Sequence, residues 1–420
     1  MRRLYSLLLT AALPFVFFRL YLKGRKNPLY RQRWKERLGI LPQFEEKEQT
    51  TLWIHAVSVG EVEATQPLVK KLSAELPELT IVITTTTPTG AETVRRRYGD
   101  QIRHYYLPYD LVSFQQRFFD RIDPDLVIIM ETELWPNLIH VSQTNHVPVM
   151  LANARMAKRS ARGYRRMGSL ARSMFKSLAG VAAQTQSDAD RMIMLGTDPN
   201  RVIVSGSLKF DQEIPSDVED SAKELREQIG QERAVWIAAS THAGEEEQVL
   251  EAHRKILKAI PGALLILVPR HPERFDEVYE LCSRSGFSTS RRGLGHLPKG
   301  EIYLVDTMGD LLMCYGAADV AFVAGSLMPI GGHNLLEPAN FGLPILMGMH
   351  TFKIEKIFDT FLNAEAAFRV SGATDLANCV LDLFSDETKR IMVGNRARKL
   401  LDKHRGAAQC HFEMVKRLLT

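Results

Sequence analysis

The residues best suited to chemistry in this 420-residue chain stand where apolar runs give way to helix-like stretches. Val57-Ser58-Val59-Gly60-Glu61 follows the run TLWIHAV (51–57). A carboxylate at the mouth of a helix is favoured by the helix dipole. From there Glu61 can reach out as a general base, with Ser58 beside it. The same acid is also an ordinary first-turn helix residue. Gly60 predicts a tight turn and close approach of a substrate. TTTTPTG (84–90) ends a second run, and its hydroxyls and backbone N–H groups suit a carboxylate or phosphate. Thr89 or Thr87 equally suits an N-cap. Glu131 and Glu133 follow a third run, spaced to act together or to hold sugar hydroxyls or a basic neighbour. Arg155 then opens a stretch, 154–176, with eight bases and no acid, which points to an anionic partner. With Tyr164 the only aromatic before Phe175, a stacking platform for RNA is not expected there.

The second half repeats the arrangement. Ser240-Thr241-His242 ends one run and Pro269-Arg270-His271 the next, where Arg270 suits a phosphate or carboxylate. Asp306-Thr307-Met308-Gly309-Asp310 ends another. Gly331-Gly332-His333-Asn334-Leu335-Leu336-Glu337 is a glycine-rich turn entering a short helix, an anion site with Glu337 placed for ribose hydroxyls. Each loop alone is compatible with plain turn chemistry; together they predict a nucleotide site. His242, His271 and His333 lie on separate loops without HxxxH spacing, so no metal site is expected. No GxxxxGK[ST] occurs, and no glycine fingerprint with its ribose acid indicates a dinucleotide.

These loops need elements to position them. Short apolar runs alternate with amphipathic stretches in two blocks, which predicts parallel sheets with connecting helices. The fold class expected is α/β, with two Rossmann-like domains facing a cleft and an N-terminal membrane-associated helix. Domains are placed at 39–208 and 230–390, with a linker over 209–229 that begins with the polar KFDQEIPSDV. Ligands in such sheets bind beyond the carboxyl ends of the strands.

The head of the chain has a different character. Residues 1–40 carry ten Lys/Arg and one acid, so the rest, from a total of +5, is net −4. Leu4–Phe18 is uncharged and mostly apolar, roughly 22 Å long as a helix. A bilayer core is about 30 Å thick. Arg19, Lys23, Arg25, Lys26, Arg31, Arg33, Lys35 and Arg37 follow and suit anionic lipid head groups, holding the body on the cytoplasmic side. Residues 1–38 are therefore read as a membrane anchor and basic segment, either spanning or lying in the interface. A basic head on a mildly acidic body, rather than charge spread over a folded face, does not indicate nucleic acid binding. The four cysteines are widely spaced and form no zinc ribbon or disulfide scaffold pattern.

The segments SVGE, TTTTPTG, YLPYD, METELWPNLI, NARM, GSLKFD, VPRHPERF, DTMGDL and GGHNLLEPA resemble the 3-deoxy-D-manno-octulosonic acid (Kdo) transferases of lipopolysaccharide synthesis. The resemblance spans nearly the whole chain. It implies a GT-B fold and an inverting, metal-independent glycosyltransferase at the inner membrane. The donor it implies is CMP-Kdo, and the acceptor is a diphosphorylated lipid A precursor (lipid IVA). Glu61 matches the family's general base. Pro269, Arg270, Met308, Gly309, Asp310, Asn334, Leu335, Leu336 and Glu337 match its CMP-binding segments. Ser58, Gly60, Thr89, Glu131, Arg155 and Lys209 are carried as acceptor or Kdo candidates. The resemblance also implies that residues 391–420 form a C-terminal helix that packs back on the N-terminal domain. Lys353-Ile354 departs from the Asn-Phe usual after Met349-His350-Thr351-Phe352. A transferase using a UDP-sugar and another lipid, and a membrane-bound nucleotide sensor without catalysis, remain alternatives.

Overall fold

The computed structural model describes residues 1–42 and 49–420. They form two compact units, Met1–Gln212 with His404–Thr420, and Glu213–Lys403.

The first unit is built on a parallel sheet of β1 (Thr51–His55), β2 (Thr80–Thr85), β3 (Arg103–Tyr106), β4 (Leu126–Met130), β5 (Val149–Ala154), β6 (Gly180–Ala183) and β7 (Val202–Val204). The order is β3-β2-β1-β4-β5-β6-β7. β1 and β4 are central and read as unbroken apolar runs because helices cover both faces. Leu52, Ile54, Ile128 and Met130 point to one face, packed with helix Val59–Glu75 and helix Ala407–Leu419. Trp53, Val127 and Ile129 point to the other, with Phe118, Phe119 and Leu138.

The second unit repeats the plan with β8 (Val235–Thr241), β9 (Leu264–Pro269), β10 (Thr289–Arg291), β11 (Ile302–Leu304), β12 (Val320–Val323), β13 (Ile345–Met347) and β14 (Ala367–Arg369). Its parallel order is β10-β11-β9-β8-β12-β13-β14. The chain passes from β8 outward to β9 on one side, and β12 lies on the other. The carboxyl ends of β8 and β12 therefore flank the crevice where such sheets take their ligands.

That crevice is organised by Glu245. Its side chain is fully buried. One oxygen accepts from the backbone N–H of Ser326 and Leu327, both at 3.0 Å; the other accepts from Gly325 at 2.8 Å and His242 at 3.1 Å. A buried carboxylate is tolerable only with such compensation. The bonds tie the loop after β8 to the loop after β12.

Two features depart from the sequence reading. Helix Ser216–Ile229, inside the segment assigned to the linker, packs Ala222, Leu225 and Ile229 into the core of the second unit. Residues 391–420 are not one helix: Glu387–Lys403 belongs to the second unit, and Ala407–Leu419 to the first. Asp211 accepts from the backbone N–H of Gly406 and Ala408 and so starts that last helix. Its His411, buried, accepts the backbone N–H of Asn153 at 2.8 Å.

The N-terminal helix is Arg2–Lys26, and Arg2–Arg25 is long and apolar enough to cross a membrane. It is attached to the first unit at two places. Arg2 and Ser6 bond to the Asn137 side chain, and Phe17 packs its ring on Trp34 and Tyr109. Leu4, Leu7, Leu8, Phe15, Phe18 and Leu22 face outward. Several of the bases that follow are structural rather than available to lipid. Arg37 is buried and donates to Thr86 O, and Arg33 bonds Glu36 and His104 O. Arg31 donates to Tyr21 O.

Replacing Glu245 by Gln puts an NH2 donor against the N–H groups that the carboxylate serves. The expected loss is about 3 kcal/mol of stability, read as a lower denaturation midpoint of the second unit; an unchanged midpoint contradicts the role.

Candidate active site

In the first unit the sequence-predicted acids converge. Glu61 lies in the first turn of helix Val59–Glu75 and is only 8% exposed. One carboxylate oxygen accepts from Val57 N at 2.8 Å and the other from Ser58 Oγ at 2.9 Å. Burial pushes its carboxyl up to about 7, against those two bonds, and Glu131 and Glu133 nearby add to the rise. Burial and Glu131 likewise raise Glu133. Lys209 Nζ stands 4.0 Å from Glu131. Glu61, Glu131, Glu133 and Lys209 thus share one polar region beyond the ends of β1 and β4. Its carboxyl groups differ in environment, which is how a site separates an acid from a base.

The backbone at these strand ends is unusual. Glu131 (φ 54°) and Asn153 (φ 50°) lie in the left-handed region that non-glycine residues seldom adopt. Asn153 sits in an irregularity of the β5–β6 pairing, and its side-chain oxygen accepts from Leu208 N, which sets Lys209 next to Glu131. A bulge of this kind re-aims side chains at a sheet rim.

Other predicted residues stand further out. Thr89 is exposed; Thr87, not Thr89, caps helix Pro88–Tyr98 by accepting from Gly90 N. Arg155 is exposed, and its backbone oxygen accepts from Thr132 Oγ1. Gly60 is inside the helix with ordinary φ, and open space lies where a Cβ would project. The tight turn expected of Gly60 is therefore not its role. The basic stretch forms helices Lys158–Arg166 and Ser169–Lys176, the first with no buried residue.

In the second unit the predicted segments lie at the carboxyl ends of the adjacent strands β11, β9, β8 and β12. Pro269 is buried and Arg270 exposed. Met308 is exposed, and Gly309 (φ 101°) turns the chain towards Asp310. Burial works to raise the Asp310 carboxyl, but Arg292, at 2.6 Å, and the Thr307 hydroxyl prevail and hold it low. Asn334 Oδ1 accepts from Leu336 N, and its Nδ2 donates to Glu337 at 3.1 Å. Helix Leu336–Asn340 is five residues long, so its dipole is slight. The side chains of Leu335 and Leu336 are buried, which leaves only their backbone for a ligand.

Sequence reading missed what joins these loops. His242 Nε2 and His333 Nε2 are 2.8 Å apart with ring planes parallel within 3°, and His271 packs edge-on against His242. The only signal was the recurrence of histidine at strand ends. Glu245 was hidden inside the acidic run GEEEQ, which reads as a solvated helix start. Glu246 of that run is also buried, bonded to Arg274 at 2.7 Å.

Residues 32–212 match the family model of 3-deoxy-D-manno-octulosonic-acid transferase (kdotransferase). The 3-deoxy-D-manno-octulosonic acid transferase of Haemophilus influenzae is 39% identical over 99% of this chain and 98% of its own. That of Bordetella pertussis is 35% identical over 85% of each. A glycosyltransferase of Rickettsia africae, 14% identical, superposes over 89% of this chain and 100% of its own with a TM-score of 0.56, a likeness of fold alone. The two Rossmann-like units are those of the GT-B fold, and the chain is a glycosyltransferase that belongs to the Kdo transferase family.

Proposed function

We propose that the protein transfers Kdo from CMP-Kdo to a diphosphorylated lipid A precursor, lipid IVA, with inversion at the anomeric carbon. The observation that carries this reading is Glu61: a buried carboxylate at a strand end, held by only two donors and raised to about 7. In a single displacement, an acceptor hydroxyl oxygen bonds to the anomeric carbon as the bond to the CMP phosphate breaks. The hydroxyl proton passes to Glu61. A base titrating near the working pH serves this step well. Val57 N–H and Ser58 Oγ keep the carboxylate oriented. Lys209 beside Glu131 offers a cation for the acceptor's phosphates or the sugar.

On the nucleotide side, Arg270 meets the charge that grows on the departing phosphate, as electrostatic catalysis requires. Backbone groups of 308–310 and 334–336 and the Glu337 carboxylate hold the nucleoside. The short helix after Asn334 contributes its N–H groups rather than a dipole.

The N-terminal helix brings this chemistry to a lipid. Its attachments at Ser6 and Phe17 are about 16 Å apart along the axis at about 1.5 Å per residue. A helix held flat at both points lies in the interface instead of crossing it. Its outward stripe of Leu4, Leu8, Phe15, Phe18 and Leu22 enters the acyl boundary on the cytoplasmic face of the inner membrane.

Glu61→Gln is expected to lower Kdo transfer by about 100-fold or more with CMP affinity kept, in assays resolving products by mass. Undiminished transfer would remove Glu61 from the reaction. Because the raised carboxyl must be ionised to accept a proton, kcat/KM is expected to rise with pH through about 7 and then level off. A profile flat from pH 5.5 to about 8.5 contradicts the assignment. Leu8→Glu is expected to weaken binding to vesicles containing anionic phospholipid about tenfold or more, from the burial of one leucine. Unchanged binding would show that this face does not enter lipid.

A further inference from the structure

The histidine pair at the β8–β12 crevice has no part in the reaction as described so far, yet it occupies the place where the sheet presents a ligand. Its geometry is specific. Two Nε2 atoms at 2.8 Å can share one hydrogen only, so one ring donates and the other offers its lone pair. The arrangement is built, not incidental. Gly325 (φ 69°) leaves the room that His333 takes: a Cβ there would come within 2.7 Å of the ring. Glu245 holds both partners' loops, through His242 N on one side and Gly325 N on the other.

The surroundings are cationic. Arg270 after β9 and Lys353 after β13 face both rings, and Arg274 in the turn after Arg270 faces His242. The acids close by are already engaged: Glu245 by four N–H groups, Glu246 and Glu277 by Arg274, and Glu273 3.8 Å from His271 Nδ1. Burial, reinforced by these cations, holds both imidazoles down at about 4, so the free pair is neutral near pH 7. Such a site lacks an anion.

Resting on the donor named above, we propose that His242 and His333 form the binding pair for the carboxylate carried by the donor sugar's anomeric carbon. CMP-Kdo differs from a nucleotide of a neutral sugar in having two anionic groups on one carbon, the phosphodiester and this carboxylate. Arg270 serves the first. For the second, the pair takes one proton from solvent, its mutual hydrogen bond opens, and both Nε2–H groups donate to the carboxylate. The proton returns to solvent when the sugar leaves. Lys353, where the sequence departs from its family, adds a cation to this same cluster rather than to the acceptor side. The pair thereby selects ulosonic acid donors over neutral sugars.

The test is calorimetric titration of the full-length protein with CMP and with CMP-Kdo at pH 7, in buffers of different ionisation enthalpy. Wild type is expected to take up about one proton more with CMP-Kdo than with CMP. His242→Gln and His333→Gln, which keep a polar group but cannot titrate there, are expected to abolish the excess. They should raise KM for CMP-Kdo about tenfold or more while the CMP inhibition constant stays within about twofold. Equal proton uptake for the two ligands in wild type overturns the proposal without any variant. So does a parallel rise of KM and the CMP constant, which would make the pair a general phosphate or structural element. Wild type that transfers no Kdo at all would instead reject the proposed activity, whereas transfer with equal uptake rejects only the pair.

Discussion

A buried carboxylate must find donors, and the number it finds decides what it can do. Glu245 has four backbone N–H groups and no exposure, and it acts as a fastening between the loop after β8 and the loop after β12. Glu61 occupies a comparable place at a strand end but has only one backbone N–H and one hydroxyl. Glu131 and Glu133 close by make its charge still less welcome. The same residue type is a rivet in one unit and a carboxyl raised to about 7 in the other. The difference lies wholly in the donors supplied and the charge around them. The fastening at the first site and the raised carboxyl at the second follow from one desolvation cost.

The family motifs divide along this line. YLPYD and METELWPN look like candidate chemistry, but part of each is mechanical. Asp110 is buried and accepts from the backbone N–H of both Asn137 and Leu138, so it starts helix Pro136–Thr144. The Asn137 side chain then grips Arg2 and Ser6 of the N-terminal helix. The residues that position Glu131 and Glu133 are therefore continuous with the seat of the apolar helix.

Both sheets were legible in their central strands, whose apolar runs are long enough to stand out. β3, β7, β10 and β14, the four edges, are signalled least by their own residues. An edge strand is short and half open, so RHYY and TSR show no apolar run at all. The helix over 216–229 read as linker because its apolar face is narrow and its start is acidic. In the site, Glu61 was visible from its position after a strand. Glu245 was not, because burial is what distinguishes it from its neighbours in an acidic run. Arg33 and Arg37 counted as lipid-facing charge for the converse reason: a cation's partners across the fold, here His104 and Thr86, cannot be read from local sequence.

The return of the last seventeen residues to the first unit bears on how the chain is made. Helix Ala407–Leu419 covers one face of the first sheet, and His411 closes the backbone at Asn153. None of this exists while those residues are still inside the ribosome. The second unit is a single unbroken segment and is complete as soon as Lys403 has emerged. The half that is synthesised first is thus the half that finishes last. Until those residues emerge, it presents the apolar residues Met130 and Ala182 beneath an absent helix, and a nascent chain in that condition is a natural client for a holding chaperone.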